Sequence, residues 1–297
     1  MEKQFKIGHY TNTPQGTGCT VVLCPKGTRA SGYARGAAPG TREYALLSPQ
    51  RKIEAIDAVL ISGGSAFGLE AAGGVMRFLW EQGRGYPTPF GRIPIVPAAV
   101  IYDLYTKDSR AYPAADDAYQ ACKEAKSGND ARGTIGAGTG ATVGKWAGFE
   151  YMMTAGLGRA RIDLKSLYVD VLTVVNPVGD VVDTDGTILA GARKEGKFLA
   201  QENPEIRWQP PEVGFGVNTV VVVLMTNGEL SKLQLHYLAE RAHNGIVRAV
   251  VPAHTSYDGD MVFALTTGEV PVEIDLITEM GVEAVRRAII NGVQSSE

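Results

Sequence analysis

The chain is short of several things. It has three cysteines, Cys19, Cys24 and Cys122, in 297 residues. Three cannot all pair with one another, which fits a reducing cytoplasm. Cys19 and Cys24 lie in or beside an apolar segment and read as small core residues. There are four histidines, His9, His236, His243 and His254, and none forms an HExxH or CxxC-type ligand pair. No metal site and no cofactor are expected. Basic runs are also missing, and the formal net charge is −3, so nucleic acid is not an expected partner. No stretch approaches the roughly 18 apolar residues of a membrane span. The opening residues, Met1-Glu2-Lys3-Gln4-Phe5-Lys6, lack the apolar core of a signal peptide. The expectation is a cytoplasmic protein without a membrane partner.

Glycine, by contrast, is plentiful. There are 36, well above the usual share of about 7%. They cluster in short motifs, so they read as tight turns and close backbone approaches. With 44% hydrophobic residues the chain can bury a substantial core, and its length suits one domain spanning 1–297 or two smaller ones.

Short, buried strands alternate imperfectly with amphipathic helices. Strands are expected at Cys19–Leu23, Ile56–Ile61, Tyr168–Val175 and Met261–Thr266. A helix is expected after Ser62-Gly63-Gly64-Ser65, with Ser65 as N-cap, Gly83 as its stop and Phe67, Ala71, Val75, Phe78 and Leu79 on one face. Gly68, Gly73 and Gly74 weaken that helix by about 1 kcal/mol each relative to Ala. Close packing against a neighbour would explain them. Ile93–Ile101 holds Pro94 and Pro97 and reads as an edge or irregular segment. Further helices are expected over Ala114–Lys126, from Leu230 through Leu233 and Leu238 to Asn244-Gly245, and over Val272–Asn291. Glu195–Pro211 reads as a surface loop. The pattern is an α/β or α+β layered fold.

Two phosphate motifs fail on context. Gly136, Gly138 and Ala141 fit G-x-G-x-x-[GA], but the residues before them, Lys126 to Arg132, are polar and supply no strand. Gly144-Lys145 resembles the end of a Walker loop, yet Thr139 stands at its first glycine and Trp146 follows the lysine. Asp183-Thr184-Asp185-Gly186 lacks the remaining ligands of a calcium loop and reads as a turn.

The most informative stretch is Gly214-Phe215-Gly216-Val217-Asn218-Thr219, which runs into Val220-Val221-Val222-Val223-Leu224-Met225. Thr226-Asn227-Gly228 then closes the run as a turn signal. Thr219 would open a buried strand, after a pliable glycine segment. If the Asn218–Thr219 bond were cut, Thr219 would carry a hydroxyl nucleophile and an α-amine on one residue. Such an amine has a pKa of about 7.7–8.0 and can accept a proton near neutral pH. Taken alone, Asn-Thr also reads as a turn before a strand. Other polar groups at strand ends are candidates for the same chemistry. Asp258 and Asp260, two apart, share a side if the segment is extended. Asn176 could donate to an oxyanion. Lys145 could anchor a carboxylate or polarise an amide, and Tyr102 could donate a hydroxyl. Each has a structural alternative: a solvated turn, a turn residue before Pro177, a surface lysine and a half-buried aromatic.

The order of motifs resembles the self-processing aminopeptidase family that includes L-aminopeptidase/D-esterase, β-peptidyl aminopeptidases and nylon-oligomer hydrolases. The matching stretches are Ile7-Gly8-His9, Gly16-Thr17-Gly18-Cys19-Thr20-Val21, Pro39-Gly40-Thr41-Arg42-Glu43, Ser62-Gly63-Gly64-Ser65-Ala66-Phe67-Gly68-Leu69, Asn176-Pro177-Val178-Gly179, Asn218-Thr219 and His254-Thr255 with Asp258-Gly259-Asp260. The resemblance implies a four-layer αββα sandwich, similar to N-terminal nucleophile hydrolases but differently connected. It implies self-cleavage of Asn218–Thr219 into an α chain 1–218 and a β chain 219–297, with Thr219 as nucleophile. Asp258 and Asp260 match the acidic pair that holds the new amine, Asn176 the oxyanion donor, and Lys145 and Tyr102 residues lining the site. The threonine and the paired aspartates sit closest to the nylon-oligomer hydrolase branch. The implied partners are a small peptide or amide substrate and further copies of the chain, as a tetramer of αβ units. An acyltransferase related to ornithine acetyltransferase and a non-catalytic small-molecule binding protein are the alternatives.

Overall fold

Two five-stranded sheets organise the chain. The computed structural model describes residues 4–208 and 218–296. The first sheet runs, in spatial order, Lys6–Asn12, Thr17–Leu23, Ala58–Ser62, Ala98–Val100 and Thr41–Arg42. Its neighbours are antiparallel except for Ala58–Ser62 beside Ala98–Val100, which are parallel. The second sheet runs Leu157–Leu164, Leu167–Asn176, Thr219–Glu229, Met261–Pro271 and Arg29–Ala34. Here Thr219–Glu229 and Met261–Pro271 form the parallel pair.

Strand alternation sorts the side chains into layers. In the first sheet Cys19, Val21, Leu23, Ala58 and Leu60 pack with Ala72, Val75 and Leu79 of α1 (Ala72–Glu81) and with Ala118, Ala121 and Cys122 of α2 (Ala115–Glu124). Their neighbours Val22, Val59 and Ile61 join the core built around the second sheet. To that core α3 (Lys232–Val247) adds Leu235, Leu238 and Ala242, and α4 (Ile274–Gln294) adds Ile277, Val285, Ala288 and Ile289. The layers are helices, sheet, sheet, helices, as expected. The central strand Thr219–Glu229 is buried from Thr219 through Thr226, which its β-branched run suits. Burying each valine there contributes roughly 1.5–3 kcal/mol. Among the described residues no helix is long and apolar enough to cross a membrane.

Several local expectations change. Ser65 caps no helix by its side chain: it sits in the left-handed region at φ 53° and opens a 3-10 segment, Ser65–Ala71, before α1. Phe67 falls on that segment and is exposed, not on the buried face of α1. A Cβ on Gly74 would stand 1.7 Å from the carbonyl oxygen of Ala115 in α2, and one on Gly68 1.9 Å from that of Gly63. Close approach therefore explains both, while a Cβ on Gly73 meets nothing nearer than 4.0 Å among the described residues. Ala98–Val100 is an interior strand, because Pro94 and Pro97 precede the paired residues. Thr226-Asn227-Gly228 does not end its strand, which continues to Glu229 through an irregularity in register. Leu233 is exposed on α3, and that helix runs past Asn244-Gly245 to Val247. The strand beginning at Met261 extends to Pro271, and α4 follows from Ile274. Within Glu195–Pro211, the 3-10 turn Pro204–Trp208 brings Ile206 against a small cluster of Trp146, Val178, Ala192 and Ala200. Residues 209–211 and the glycine segment Gly214-Phe215-Gly216-Val217 lie outside the described residues.

Candidate active site

Thr219 is the first residue of the central strand and is buried. Its Oγ1 donates to the carbonyl oxygen of Asn218 at 2.5 Å. The same oxygen accepts the Gly259 N–H at 2.7 Å. Asn218 bridges to Asp258 in parallel fashion, and its Nδ2 reaches the Tyr257 carbonyl at 3.4 Å. The hydroxyl of Thr219 and a backbone donor thus converge on one carbonyl, that of the bond preceding Thr219. Gly259 allows this because it lacks a side chain: a Cβ there would stand 2.6 Å from the Ala38 oxygen and 2.9 Å from Thr219 Oγ1.

The two aspartates flank Gly259 but serve different partners. Asp260 Oδ1 accepts the Val220 N–H at 2.7 Å, and its Oδ2 meets His254 Nδ1 at 2.7 Å. Asp258 Oδ1 accepts the Val178 N–H at 3.2 Å, while its Oδ2 accepts both the N–H and the hydroxyl of Thr255 at 2.8 and 2.7 Å. Burial raises the pKa of Asp258, and the like charge of Asp260 raises it further, against the hydrogen bonds from Thr255 and Val178.

Across the sheet, Asn176 pairs in register with Thr219. Directly opposed residues of antiparallel strands project to the same face. Asn176 Oδ1 accepts from Lys145 Nζ at 3.0 Å, the Thr142 N–H at 3.0 Å and the Tyr105 hydroxyl at 3.2 Å. With its oxygen so committed, the amide turns its nitrogen the other way, and Nδ2 donates to the Tyr102 carbonyl at 3.2 Å. Lys145 is only 2% exposed. Its Nζ also reaches Thr142 O at 2.7 Å, Thr142 Oγ1 at 3.1 Å and Asn176 O at 3.2 Å. Burial holds its pKa well below the ordinary lysine range, and the charge of Asp258 works against that. Lys145 is placed by Gly144, at φ 75°, and by Trp146, whose Nε1 donates to buried Asp180 at 2.7 Å.

The aromatic ring of Tyr102 stacks on Tyr105 at 5.7 Å, and Tyr105 in turn meets Phe149 at 4.6 Å. Next to Tyr102, buried Asp103 accepts the Gly64 N–H at 2.7 Å and the Thr17 hydroxyl at 2.8 Å. Burial raises its pKa to about 6 against those two bonds.

A family model described as peptidase family S58 matches residues 3–297. The chain belongs to peptidase family S58. Membership makes it a hydrolase of peptide or peptide-like amide bonds. An uncharacterized aminopeptidase of Mycobacterium leprae is 39% identical, over 99% of this chain and 89% of the relative. A 6-aminohexanoate-oligomer endohydrolase of Agromyces sp. is 34% identical, over 92% of this chain and 74% of the relative. Solved structures extend the comparison. The L-aminopeptidase D-Ala-esterase/amidase of Ochrobactrum anthropi, described as a new variant among the Ntn hydrolase fold, has a TM-score of 0.74 at 18% identity. It is matched over 99% of this chain and 85% of that one. A Burkholderia sp. β-aminopeptidase has a TM-score of 0.70 at 20% identity, over 97% of this chain and 84% of the other. These likenesses carry the fold, and they agree with the four layers above.

The seven residues singled out from the sequence, Asn218 of the expected cleavage site included, fall in one region. Lys145 is buried and not a surface lysine. Asn176 joins Lys145, Tyr102 and the start of the Thr219 strand. Asp258 and Asp260 bracket the N–H that meets Asn218. Sequence reasoning missed Tyr105, Thr142 and the backbone of Gly259. Gly259 had a signal only as a glycine set between two aspartates, which does not point to its N–H, while Tyr105 and Thr142 had none beyond their proximity in the chain to Tyr102 and Lys145.

Proposed function

We propose that the chain is a self-processing hydrolase with Thr219 as N-terminal nucleophile, cut into chains 1–218 and 219–297. One observation carries the reading: Thr219 Oγ1 and the Gly259 N–H both lie against the Asn218 carbonyl oxygen, at 2.5 and 2.7 Å. Oγ1 attacks the Asn218 carbonyl carbon, and the Gly259 N–H stabilises the oxyanion. The C–N bond breaks, the proton lost by the hydroxyl ends on the departing Thr219 nitrogen, and an ester links Asn218 to Thr219 Oγ1. Water hydrolyses that ester. Asn218 becomes a carboxylate, and Thr219 gains a free α-amine beside the Asp258/Asp260 pair.

The mature site repeats the chemistry on a substrate. The α-amine takes the proton from Oγ1, Oγ1 attacks the substrate carbonyl, and the amine returns the proton to the leaving nitrogen. The acyl-enzyme is released by water. Asn176 Nδ2, held to face away from Lys145, serves as a side-chain oxyanion donor. Groups of this kind contribute typically about 10²–10³ in rate. Lys145 and Tyr105 fix the Asn176 amide, and Tyr102 lines the acyl side of the site. Relatives named aminopeptidase and 6-aminohexanoate-oligomer endohydrolase support short peptides with a free amine, or aminohexanoate oligomers, as substrates. A cytoplasmic tetramer of cleaved units completes the reading.

Intact mass tests it. Purified protein should show fragments ending at Asn218 and beginning at Thr219, and Thr219→Ala should remain full-length and inactive. An uncut wild-type chain that hydrolyses substrate, or an active Thr219→Ala, would sink the mechanism.

A further inference from the structure

His254 stands behind Asp260. Its Nδ1 lies 2.7 Å from Asp260 Oδ2, while Oδ1 of the same carboxylate accepts the Val220 N–H at 2.7 Å. The carboxylate is therefore clamped from both sides, with one clamp on the residue next to the nucleophile. The His254 side chain is 10% exposed, and its backbone sits in the left-handed region at φ 55°. Its ring packs edge-on against His243 of α3 at 4.9 Å. His243 is itself fixed, with Nε2 3.0 Å from the Tyr33 carbonyl. The remaining nitrogen of His254, Nε2, is buried without a hydrogen-bond partner among the described residues. A proton on Nε2 would leave a buried donor unsatisfied, whereas on Nδ1 it meets a carboxylate. The geometry thus selects the Nδ1–H tautomer. A non-glycine residue in the left-handed region is uncommon, and this one aims the ring at Asp260.

We propose that His254 is a positioning residue for Thr219 chemistry, holding Oδ2 of Asp260 so that Oδ1 stays on the Val220 N–H, one residue along the chain from the Thr219 nitrogen. This rests on the Thr219 reading above. Two variants separate the hydrogen bond from the backbone conformation. His254→Asn tolerates the left-handed region and places an amide N–H near Nδ1. His254→Gly tolerates it equally and supplies no donor. With both variants processed, kcat and KM are measured on the same peptide p-nitroanilide. Losing a hydrogen bond to a charged group should lower kcat of His254→Gly about ten- to hundredfold, with KM within about twofold. His254→Asn should recover to within about threefold of wild type. If His254→Gly stalls before cleavage, the processing half-time is compared instead, with the same ranking expected. A His254→Gly enzyme with wild-type kcat, or a His254→Asn enzyme no faster than His254→Gly, overturns the proposal. Failure of the Thr219 reading would show separately, as an uncut wild-type chain or an active Thr219→Ala.

Discussion

Asn176 and Thr219 sit directly opposite one another on adjacent antiparallel strands, one ending its strand and the other beginning its own. This places a side-chain amide and a hydroxyl on one face of the second sheet, at its end, held by two of its most buried strands. The amide is oriented by three donors on its oxygen, including the Nζ of a buried lysine. A rigid sheet end is a good place to hold reacting groups, because strand positions vary less than loop positions.

The first prediction separates the two ends of the Asn176 amide. Asn176→Asp keeps an acceptor for Lys145, Thr142 and Tyr105 but removes the N–H. Its second oxygen would face the Tyr102 carbonyl, now 3.2 Å from Nδ2. Apposing two acceptors should cost about 1–3 kcal/mol of stability. On the proposed mechanism, turnover of the processed enzyme should fall about 10²–10³-fold. Urea denaturation and kcat measured together test this. Wild-type turnover in a folded Asn176→Asp enzyme would remove Asn176 from the oxyanion site.

Gly259 gives a second test, since its N–H and its missing side chain both matter. Gly259→Ala retains the N–H but puts a Cβ 2.9 Å from Thr219 Oγ1 and 2.6 Å from the Ala38 oxygen. Cβ atoms do not sit that close to such groups, so Thr219 or the turn must shift. The proposed cleavage at Asn218–Thr219 should slow by at least about tenfold, since small misplacements of reacting groups are costly. A time course by intact mass reads this directly. Unchanged kinetics would show that the turn absorbs a methyl without moving the hydroxyl.

Much of this arrangement was legible in the sequence, and the parts that were not share a cause. The valine run at Val220–Val223 announces a buried strand by residue type alone. Asn176, Lys145, Asp258 and Asp260 announce themselves as polar groups at strand ends or glycine turns. The Gly259 N–H carries no residue-type signature, because every non-proline residue has one and only geometry aims it. Tyr105 reads like any half-buried aromatic until its hydroxyl is seen 2.7 Å from Thr142 Oγ1. Ser65 follows N-cap statistics, but the chain turns left-handed there and the α-helix starts seven residues later. Leu233 and Phe67 fit helical spacing, yet the packing leaves both exposed. Periodicity locates a face but does not say where the face ends.

His243 supplies a pH test of folding. Burial pulls its pKa from 6.5 to about 4. As pH falls, the unfolded chain binds this proton first. Stability therefore drops as pH falls from 6.5 toward 4, by about 3 kcal/mol for this residue alone. Asp103 works in the opposite sense: its folded pKa is raised to about 6, so its protonation favours the fold as pH falls through the same region. A difference between variants isolates the histidine. His243→Gln can place an amide nitrogen near Nε2 and keep the bond to the Tyr33 carbonyl, without a group that charges. Relative to wild type, it should gain about 2 kcal/mol between pH 7.5 and pH 4.5 in urea unfolding. An equal difference at both pH values would refute the assignment.

The glycines of α1 allow a test of packing against propensity. Gly73 and Gly74 are neighbours in one helix and are identical by any scale of intrinsic preference. Their surroundings differ. Among the described residues a methyl on Gly73 meets nothing nearer than 4.0 Å, whereas one on Gly74 falls 1.7 Å from the Ala115 carbonyl oxygen of α2. Gly73→Ala should therefore stabilise the protein by about 0.5–1 kcal/mol, through helix propensity and the lost freedom of the unfolded chain. Gly74→Ala gains the same propensity but must push α1 and α2 apart, an overpacking cost of about 1–3 kcal/mol or more. Backbone, not a flexible side chain, is what the new methyl would strike, so the upper end is expected. Thermal unfolding of the two variants should move in opposite directions from wild type. Shifts of the same sign would mean that the α1–α2 contact is looser than the Gly74–Ala115 approach requires.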